Sequence, residues 1–268
     1  MPRCLRYAAT VVFVAVGCAG REAAAQSSEP IVTARPSFTE TPLVVAPKVV
    51  QFETGVLWGT EAAAGLTSKE LSAPNLLLRL GMTGRLELRV GMQGLVSDRI
   101  DRSGRPNADW RTSASNTDVG VKYQLARQEG LGLNLAVIAH VSVPTGGGTS
   151  SGNADPSVTL AWGRTLGRAS VTGNVNWSAP TAPDDERERV LDGSLSVGHP
   201  LWGSWGAFWE AVVTTVDDSD APSAWTGNAG ITRLVGNNVK LDVHLGRGLN
   251  DTAQDWALGA GVSYRFRR

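Results

Sequence analysis

The sequence predicts an all-β protein: a transmembrane antiparallel up-and-down β-barrel of about twelve strands. Three observations lead there. Segments of about 8–12 residues alternate apolar and polar side chains, close to the ~9–11 that a tilted membrane strand needs and longer than the ~5–6 usual in soluble sheets. Long and short connections alternate almost throughout, as they do when a barrel has short periplasmic turns and longer outer loops. No apolar run approaches the ~20 residues of a membrane helix, so a bilayer can be crossed only by strands.

The N-terminus reads as an export leader. Arg3 and Arg6 form a basic start, Tyr7 to Ala19 is mostly apolar, and Ala23-Ala24-Ala25 supplies an A-x-A site. A signal peptide of residues 1–25 follows, with lipidation at Cys18 as the rival processing. The only cysteines, Cys4 and Cys18, both lie in this leader. Cleavage after Ala25 therefore leaves no disulfide and no thiolate metal ligand. Residues 26–47 carry Pro30, Pro36, Pro42 and Pro47. Proline removes ladder donors, so this stretch is an irregular periplasmic lead-in or a plug for the barrel mouth. The barrel occupies residues 48–268.

Twelve strands are read in order. The first is Lys48–Trp58, with Val50, Phe52, Val56 and Trp58 on one face. The second and third form a hairpin over Leu76–Val96 around Thr83-Gly84-Arg85. Its apolar row includes Leu76, Leu78, Leu80, Leu86, Leu88, Val90, Met92 and Val96; its polar face carries Arg79, Glu87, Arg89 and Gln93. Thr117–Leu125, Leu131–Val143, Asp155–Trp162, Ala169–Trp177 and Val190–Gly198 repeat the alternation. Trp205–Val216 is ambiguous, because Phe208 and Val212 share the face of Glu210. Trp225–Val235, Val239–Leu245 and Asp255–Phe266 complete the set. The long connections are Gly59–Pro74, Ser97–Asn116, Pro144–Ala154 and Ser178–Arg189, with Asp217–Ala224 and Gly246–Gln254 moderate.

The faces are lipid and water. Sliding the hairpin by one residue would turn Arg79 and Arg89 to lipid, at about 2–4 kcal/mol each near the midplane. The aromatics agree with this topology. Trp58, Trp177, Trp225 and Trp256 fall at the outer rim, and Tyr123, Trp162, Trp205 and Phe266 at the periplasmic rim. Trp209 is mid-strand and Trp110 lies in a loop. A soluble β-protein with these aromatics in its core is the alternative.

Several motifs resemble a known family. Arg35-Pro36-Ser37-Phe38-Thr39-Glu40-Thr41-Pro42, then Gln51-Phe52-Glu53-Thr54-Gly55, resemble the opening of an outer-membrane transporter family labelled phenol-degradation (meta-pathway) protein, itself related to the secretion pore for functional amyloid. Arg79-Leu80-Gly81, Arg85 to Arg89, Asp118 to Lys122 and Pro144-Thr145-Gly146 are similar to its recurring segments. The chain departs from the family at Ala34, where Asp is usual, and in ending with Arg267-Arg268 after the aromatic Phe266. The resemblance implies a barrel of roughly twelve strands and passive transport, and supplies no substrate.

The inward-facing set is Glu53, Arg79, Glu87, Arg89, Asp118, Lys122, His140, Glu210, Lys240, Asp242, His244 and Arg265. In a water-filled lumen these residues set ion and solute preference. In a filled one, pairs such as Arg89 with Glu87, or Lys122 with Asp118, tie walls together. Twelve strands lie between small filled barrels and open porins of about 16–18, so both readings stay open.

Other chemistry is thin. His140 and Ser142, with Asn153 beyond, resemble the His-Ser-Asn set of outer-membrane phospholipase. However, both side chains take the water-facing parity, whereas a lipid hydrolase needs them toward lipid. The histidines His140, His199 and His244 are too scattered for a metal site, and Gly146-Gly147-Gly148 lacks the helix and lysine of a phosphate loop. No enzyme activity, cofactor or metal is expected. Balanced charge, with 25 basic and 25 acidic residues, points away from nucleic acid. The expected partners are membrane lipid, an unidentified small solute and the barrel-assembly machinery. The expected location is the outer membrane of a Gram-negative bacterium. The predicted function is a channel for passive diffusion of small solutes, hydrophobic or aromatic ones included. A non-conducting structural or export-partner barrel is the main alternative, and a lipid hydrolase the minor one.

Overall fold

The computed structural model describes residues 29–63, 65–102, 109–147, 150–182, 185–217 and 222–266. The expected leader, Cys18 and the final Arg267-Arg268 lie outside the described residues. No helix among the described residues is long and apolar enough to cross a membrane.

The strands are β1 (Val50–Ala63), β2 (Leu66–Gly81), β3 (Leu86–Met92), β4 (Leu95–Arg102), β5 (Arg111–Ala114), β6 (Thr117–Ala126) and β7 (Asn134–Val143). Then come β8 (Asp155–Leu166), β9 (Ala169–Ser178), β10 (Val190–Pro200), β11 (Trp205–Val216), β12 (Ala224–Val235), β13 (Val239–Gly248) and β14 (Trp256–Phe266). All pairings are antiparallel, and β1 closes the ring against both β2 and β14, with Val50 opposite Phe266 and Thr60 opposite Trp256. The fourteen segments make a twelve-stranded barrel, because β3 with β4 and β5 with β6 are interrupted strands. The inner half of β2 pairs with β3 and its outer half with β4.

The interruption has a local cause. Pro74 in β2 has no amide to donate. Opposite it, Gly94 takes φ +71°, and a Cβ there would lie 2.3 Å from the Pro74 carbonyl oxygen. Only glycine fits, and the Gly94 carbonyl accepts from Ser115 N at 2.8 Å. This break changes the parity of the strand beyond it. Val96, expected on the lipid row, is buried at 6% exposure, while Leu95 takes the outward position at 53%.

Two long connections of the sequence reading are largely strand. Gly59–Pro74 holds the end of β1 and most of β2, with a turn at Gly65, and Ser97–Asn116 holds most of β4 and all of β5. Thr67-Ser68-Lys69-Glu70 has no apolar alternation, so periodicity could not reveal it as strand. Ladder hydrogen bonds hold these outer extensions. Trp58 consequently lies within β1 and does not end it. At the inner end, the expected start of the fifth strand is a helical turn, α1 (Gln128–Leu131), whose Gln128 amide donates to Asn134 Oδ1 at 3.1 Å. The short connections at 82–85, 167–168, 201–204 and 236–238 share this end with α1. Short turns mark the periplasmic side of such barrels, which makes this the inner end.

The burial pattern is inverted relative to a soluble protein. Val121, Val141, Leu160, Val175, Ile231 and Val243 are exposed on the outer wall, while Arg79, Lys122, Gln51, Glu53 and Glu87 are fully buried within. An apolar belt around a charged interior suits lipid outside. The ambiguous strand resolves the same way. Phe208, Glu210 and Val212 all face in, and Trp209 faces out at mid-height. Trp177, Trp225 and Trp256 stand at outer strand ends, and Trp205 and Phe266 at inner ends. Tyr123 lies near the inner end of β6, and Trp162 packs over Gly173 near that of β8.

Candidate functional site: a lumen divided by the N-terminal strap

Residues 29–49 form a strap that runs through the barrel interior before β1. Its prolines have no donors, and its remaining amides must find partners away from bulk water. The wall supplies them largely as carboxylates. Glu53 of β1 accepts from Ala34 N at 3.1 and 3.0 Å and from Arg35 N at 3.0 Å. Glu210 of β11 accepts from Phe38 N at 2.9 Å and Thr39 N at 2.6 Å. Glu87 of β3 accepts from Val45 N at 2.8 Å. Asn174 of β9 plays both parts, accepting from Glu40 N at 2.6 Å and donating to Glu40 O at 3.0 Å.

Wall cations complete the clamp. Arg79 of β2 forks onto Glu87 at 2.8 and 2.9 Å, reaches Glu53 at 3.1 Å, and donates to the strap carbonyls of Val32 and Leu43 at 3.1 and 3.2 Å. Arg89 and Lys122 converge on Glu40, at 3.0 Å from Arg89 Nη1 and 3.2 Å from Lys122 Nζ. Lys122 also donates to Thr41 O at 2.7 Å. Burial pushes the Glu40 carboxyl up, but the cations of Arg89 and Lys122 outweigh it and hold the group well below the usual carboxylate range. On the opposite wall Arg35 pairs with Asp242 at 3.2 Å, and Lys240 donates to Thr33 Oγ1 at 3.0 Å. Arg265 anchors the strap's start through Glu29 O at 2.7 Å.

Nine of the twelve inward residues named from sequence therefore hold the strap: Glu53, Arg79, Glu87, Arg89, Lys122, Glu210, Lys240, Asp242 and Arg265. The expected wall pairs are replaced. Arg89 approaches Glu87 only to 3.9 Å and forks onto Glu40, and Lys122 bonds the strap instead of Asp118. Long side chains reach across the lumen, and the strap offers them a partly buried carboxylate, that of Glu40. Arg35 and Glu40 of the strap, with Asn174, are the contributors that face alternation alone does not single out. The charges of Arg35 and Glu40 inside a proline-punctuated stretch were the available signal.

The remaining three, Asp118, His140 and His244, line a separate outer cavity. The His140 ring rests over Gly120, its cross-strand partner, and His244 over Gly259 in the same way. His244 Nδ1 lies 3.3 Å from Asn228 Oδ1. Ser142 bonds Asp118 on the neighbouring strand, and the Asn153 side chain bonds Ser151 O in its own loop. The His-Ser pair thus faces the lumen. Among the described residues no three His, Cys, Asp or Glu are grouped to hold a metal.

The strap divides the lumen. Above it lies an outer cavity of about 550 Å³, with Leu57, Leu77 and Val212 among its apolar walls. Below it lies an inner cavity of about 430 Å³. Arg35, Pro36 and Ser37 line both, so these residues form the partition.

The sequence profile of the family described as "Putative MetA-pathway of phenol degradation" matches residues 33–266. Among solved structures, an outer membrane channel from Pseudomonas putida F1 is similar at a TM-score of 0.62 and 15% identity, covering 87% of this chain and 100% of that one. The translocator domain of the autotransporter NalP from Neisseria meningitidis follows at 0.51 and 12%, covering 81% and 88%. The KdgM porin in complex with disordered oligogalacturonate has a TM-score of 0.50 at 12% identity, covering 82% and 99%. At these identities the likeness is one of fold. No curated protein sequence matches the chain.

Proposed function

The chain belongs to the family described as "Putative MetA-pathway of phenol degradation", and we propose that it serves as an outer-membrane channel for passive diffusion of small solutes, hydrophobic and aromatic ones included. The observation that carries this reading is the pair of cavities, about 550 and 430 Å³, in one closed barrel with the partition of Arg35, Pro36 and Ser37 between them. Both volumes fall in the range of small-molecule sites, about 300–1,000 Å³. The outer cavity mixes apolar walls with a few polar groups, which suits a weakly held, partly apolar solute. The strap is then the constriction, and residues 26–47 act as a plug. In this reading the aromatic residues at the strand ends serve as interfacial girdles on either side of the apolar belt.

A second reading, a non-conducting structural or export-partner barrel, draws on the strap's hold. Carboxylates on three wall strands accept its backbone amides. Conductance in planar bilayers separates the two. The channel reading expects discrete openings in the full chain and larger ones after deletion of residues 29–47. Silence from both proteins would sink it.

A further inference from the structure

The inner cavity is kept open by a recurring cross-strand pair. Gly163, Gly198 and Gly206 face inward, and their partners across the ladder are Thr172, Ser170 and Thr232. A Cβ at Gly198 would lie 2.7 Å from Ser170 Oγ, at Gly206 3.0 Å from Thr232 Oγ1, and at Gly163 3.4 Å from Thr172 Oγ1. The Ser170 and Thr232 hydroxyls therefore lean over a glycine, in space that a larger residue would crowd, whereas a Cβ at Gly163 would meet the Pro42 ring first, at 3.2 Å. Among the described residues none of these three hydroxyls has a hydrogen-bond partner.

The charge of this cavity is one-sided. Arg164, Arg168 and Lys240 line it, Arg35 closes its roof, and none of its lining residues is Asp or Glu. The outer cavity, by contrast, contains Asp118 and Glu210. Arg35 is committed to Asp242, and Lys240 gives one of its three protons to Thr33. Arg164 and Arg168 have no ion pair among the described residues. Free hydroxyl donors facing a vestibule with cations and no carboxylate call for an acceptor-rich, negatively charged occupant.

We propose that this inner vestibule is a binding site for small organic anions, carboxylates first, and that it gives the channel an anion preference. The proposal rests on the channel reading above and adds its solute class. A carboxylate seated beside Ser170 and Thr172 would accept their protons, with Arg168 at the inner mouth supplying the charge.

The test uses the full chain in planar bilayers under a potassium chloride gradient, with benzoate as the organic probe and benzyl alcohol as its neutral counterpart. The expected reversal potential has the sign of chloride preference. Benzoate added on the inner side reduces the current, and benzyl alcohol does not. Ser170→Ala with Thr172→Val weakens the benzoate effect about tenfold or more, as loss of hydrogen bonds to a charged group should. Arg168→Glu shifts the reversal potential toward potassium. A conducting channel that prefers cations, or one on which both probes act alike, overturns the proposal while leaving the channel reading intact. Absence of any conductance counts against the channel reading instead. Benzoate titrated calorimetrically into the same detergent-solubilised protein then decides the site, with binding that Ser170→Ala/Thr172→Val weakens supporting it and no binding overturning it.

Discussion

Arg79 and Glu87 form a two-pronged pair between β2 and β3, Nε to Oε1 at 2.8 Å and Nη2 to Oε2 at 2.9 Å, with 1% and 0% of their side chains exposed. The pair is also the hinge between wall and strap, because Glu87 accepts from Val45 N and Arg79 donates to Val32 O and Leu43 O. Removing Arg79 takes the counter-charge from two buried carboxylates at once. Arg79→Met strands Glu87 and Glu53, and the expected loss is about 3–5 kcal/mol. Urea unfolding followed by heat-modifiable gel mobility checks it. Arg79→Met with Glu87→Leu should recover part of the loss, since the uncompensated Glu87 carboxylate is gone.

Glu40 links the strap to Arg89 and Lys122. Its carboxyl is depressed when docked. The sign follows: its contribution is complete above the ordinary carboxylate value and disappears only as pH falls well below it. Strap protection should stay flat over roughly pH 5 to 7 and, on the acid side, weaken only well below that range. Chymotryptic cleavage after Phe38 reports strap release. In Glu40→Gln that cleavage should be faster already at neutral pH.

Gly81 marks where the strap returns to the wall. A Cβ there would lie 1.8 Å from the Ala46 carbonyl oxygen, which is backbone and cannot swing aside. Gly81→Ala should displace the strap at a cost of about 1–3 kcal/mol while the barrel still closes. The expected signature is faster cleavage after Phe38 with unchanged heat-modifiable mobility. Gly227→Ala is the control, because its Cβ would meet nothing nearer than Leu249 Cδ2 at 3.5 Å.

Val243 lies opposite Ile231 near mid-strand on the outer face. Val243→Arg should destabilise the folded barrel by about 2–4 kcal/mol in lipid, the depth-dependent charge of the midplane. Unfolding in vesicles measures it. A value near zero would place this face in water and defeat the membrane assignment.

Much of the wall was legible from residue order. Period-2 alternation placed Arg79, Glu87, Arg89 and Lys122 inside, and all four are buried there. The pattern failed where its physical basis ends. Beyond Trp58 the residues Thr60-Glu61-Ala62 and Thr67 to Glu70 carry no apolar row, so no alternation marks the strands that continue to Ala63 and from Leu66. At Gln93-Gly94 a left-handed glycine resets the parity, which exchanges Leu95 and Val96. Face assignment also says nothing about reach. Arg89 and Lys122 are buried in the barrel interior, and their partner there is Glu40, on a segment with no periodicity at all.

The sequence by itself determined the class of fold, the face of most wall residues and the irregular character of residues 29–47, because these follow from local chemistry: alternation against two solvents and the missing donors of proline. Tertiary structure alone decided what the inward charges do. Their roles depend on where the strap's amides and carboxylates lie across the lumen. That distance is set by closure of β1 on β14 and by the strap's path between Asn237 and Gly81, to which Ile31 and Lys48 donate at 2.8 Å each. A charge facing water and a charge clamping a strap have the same pattern along the chain, and only the partner opposite distinguishes them.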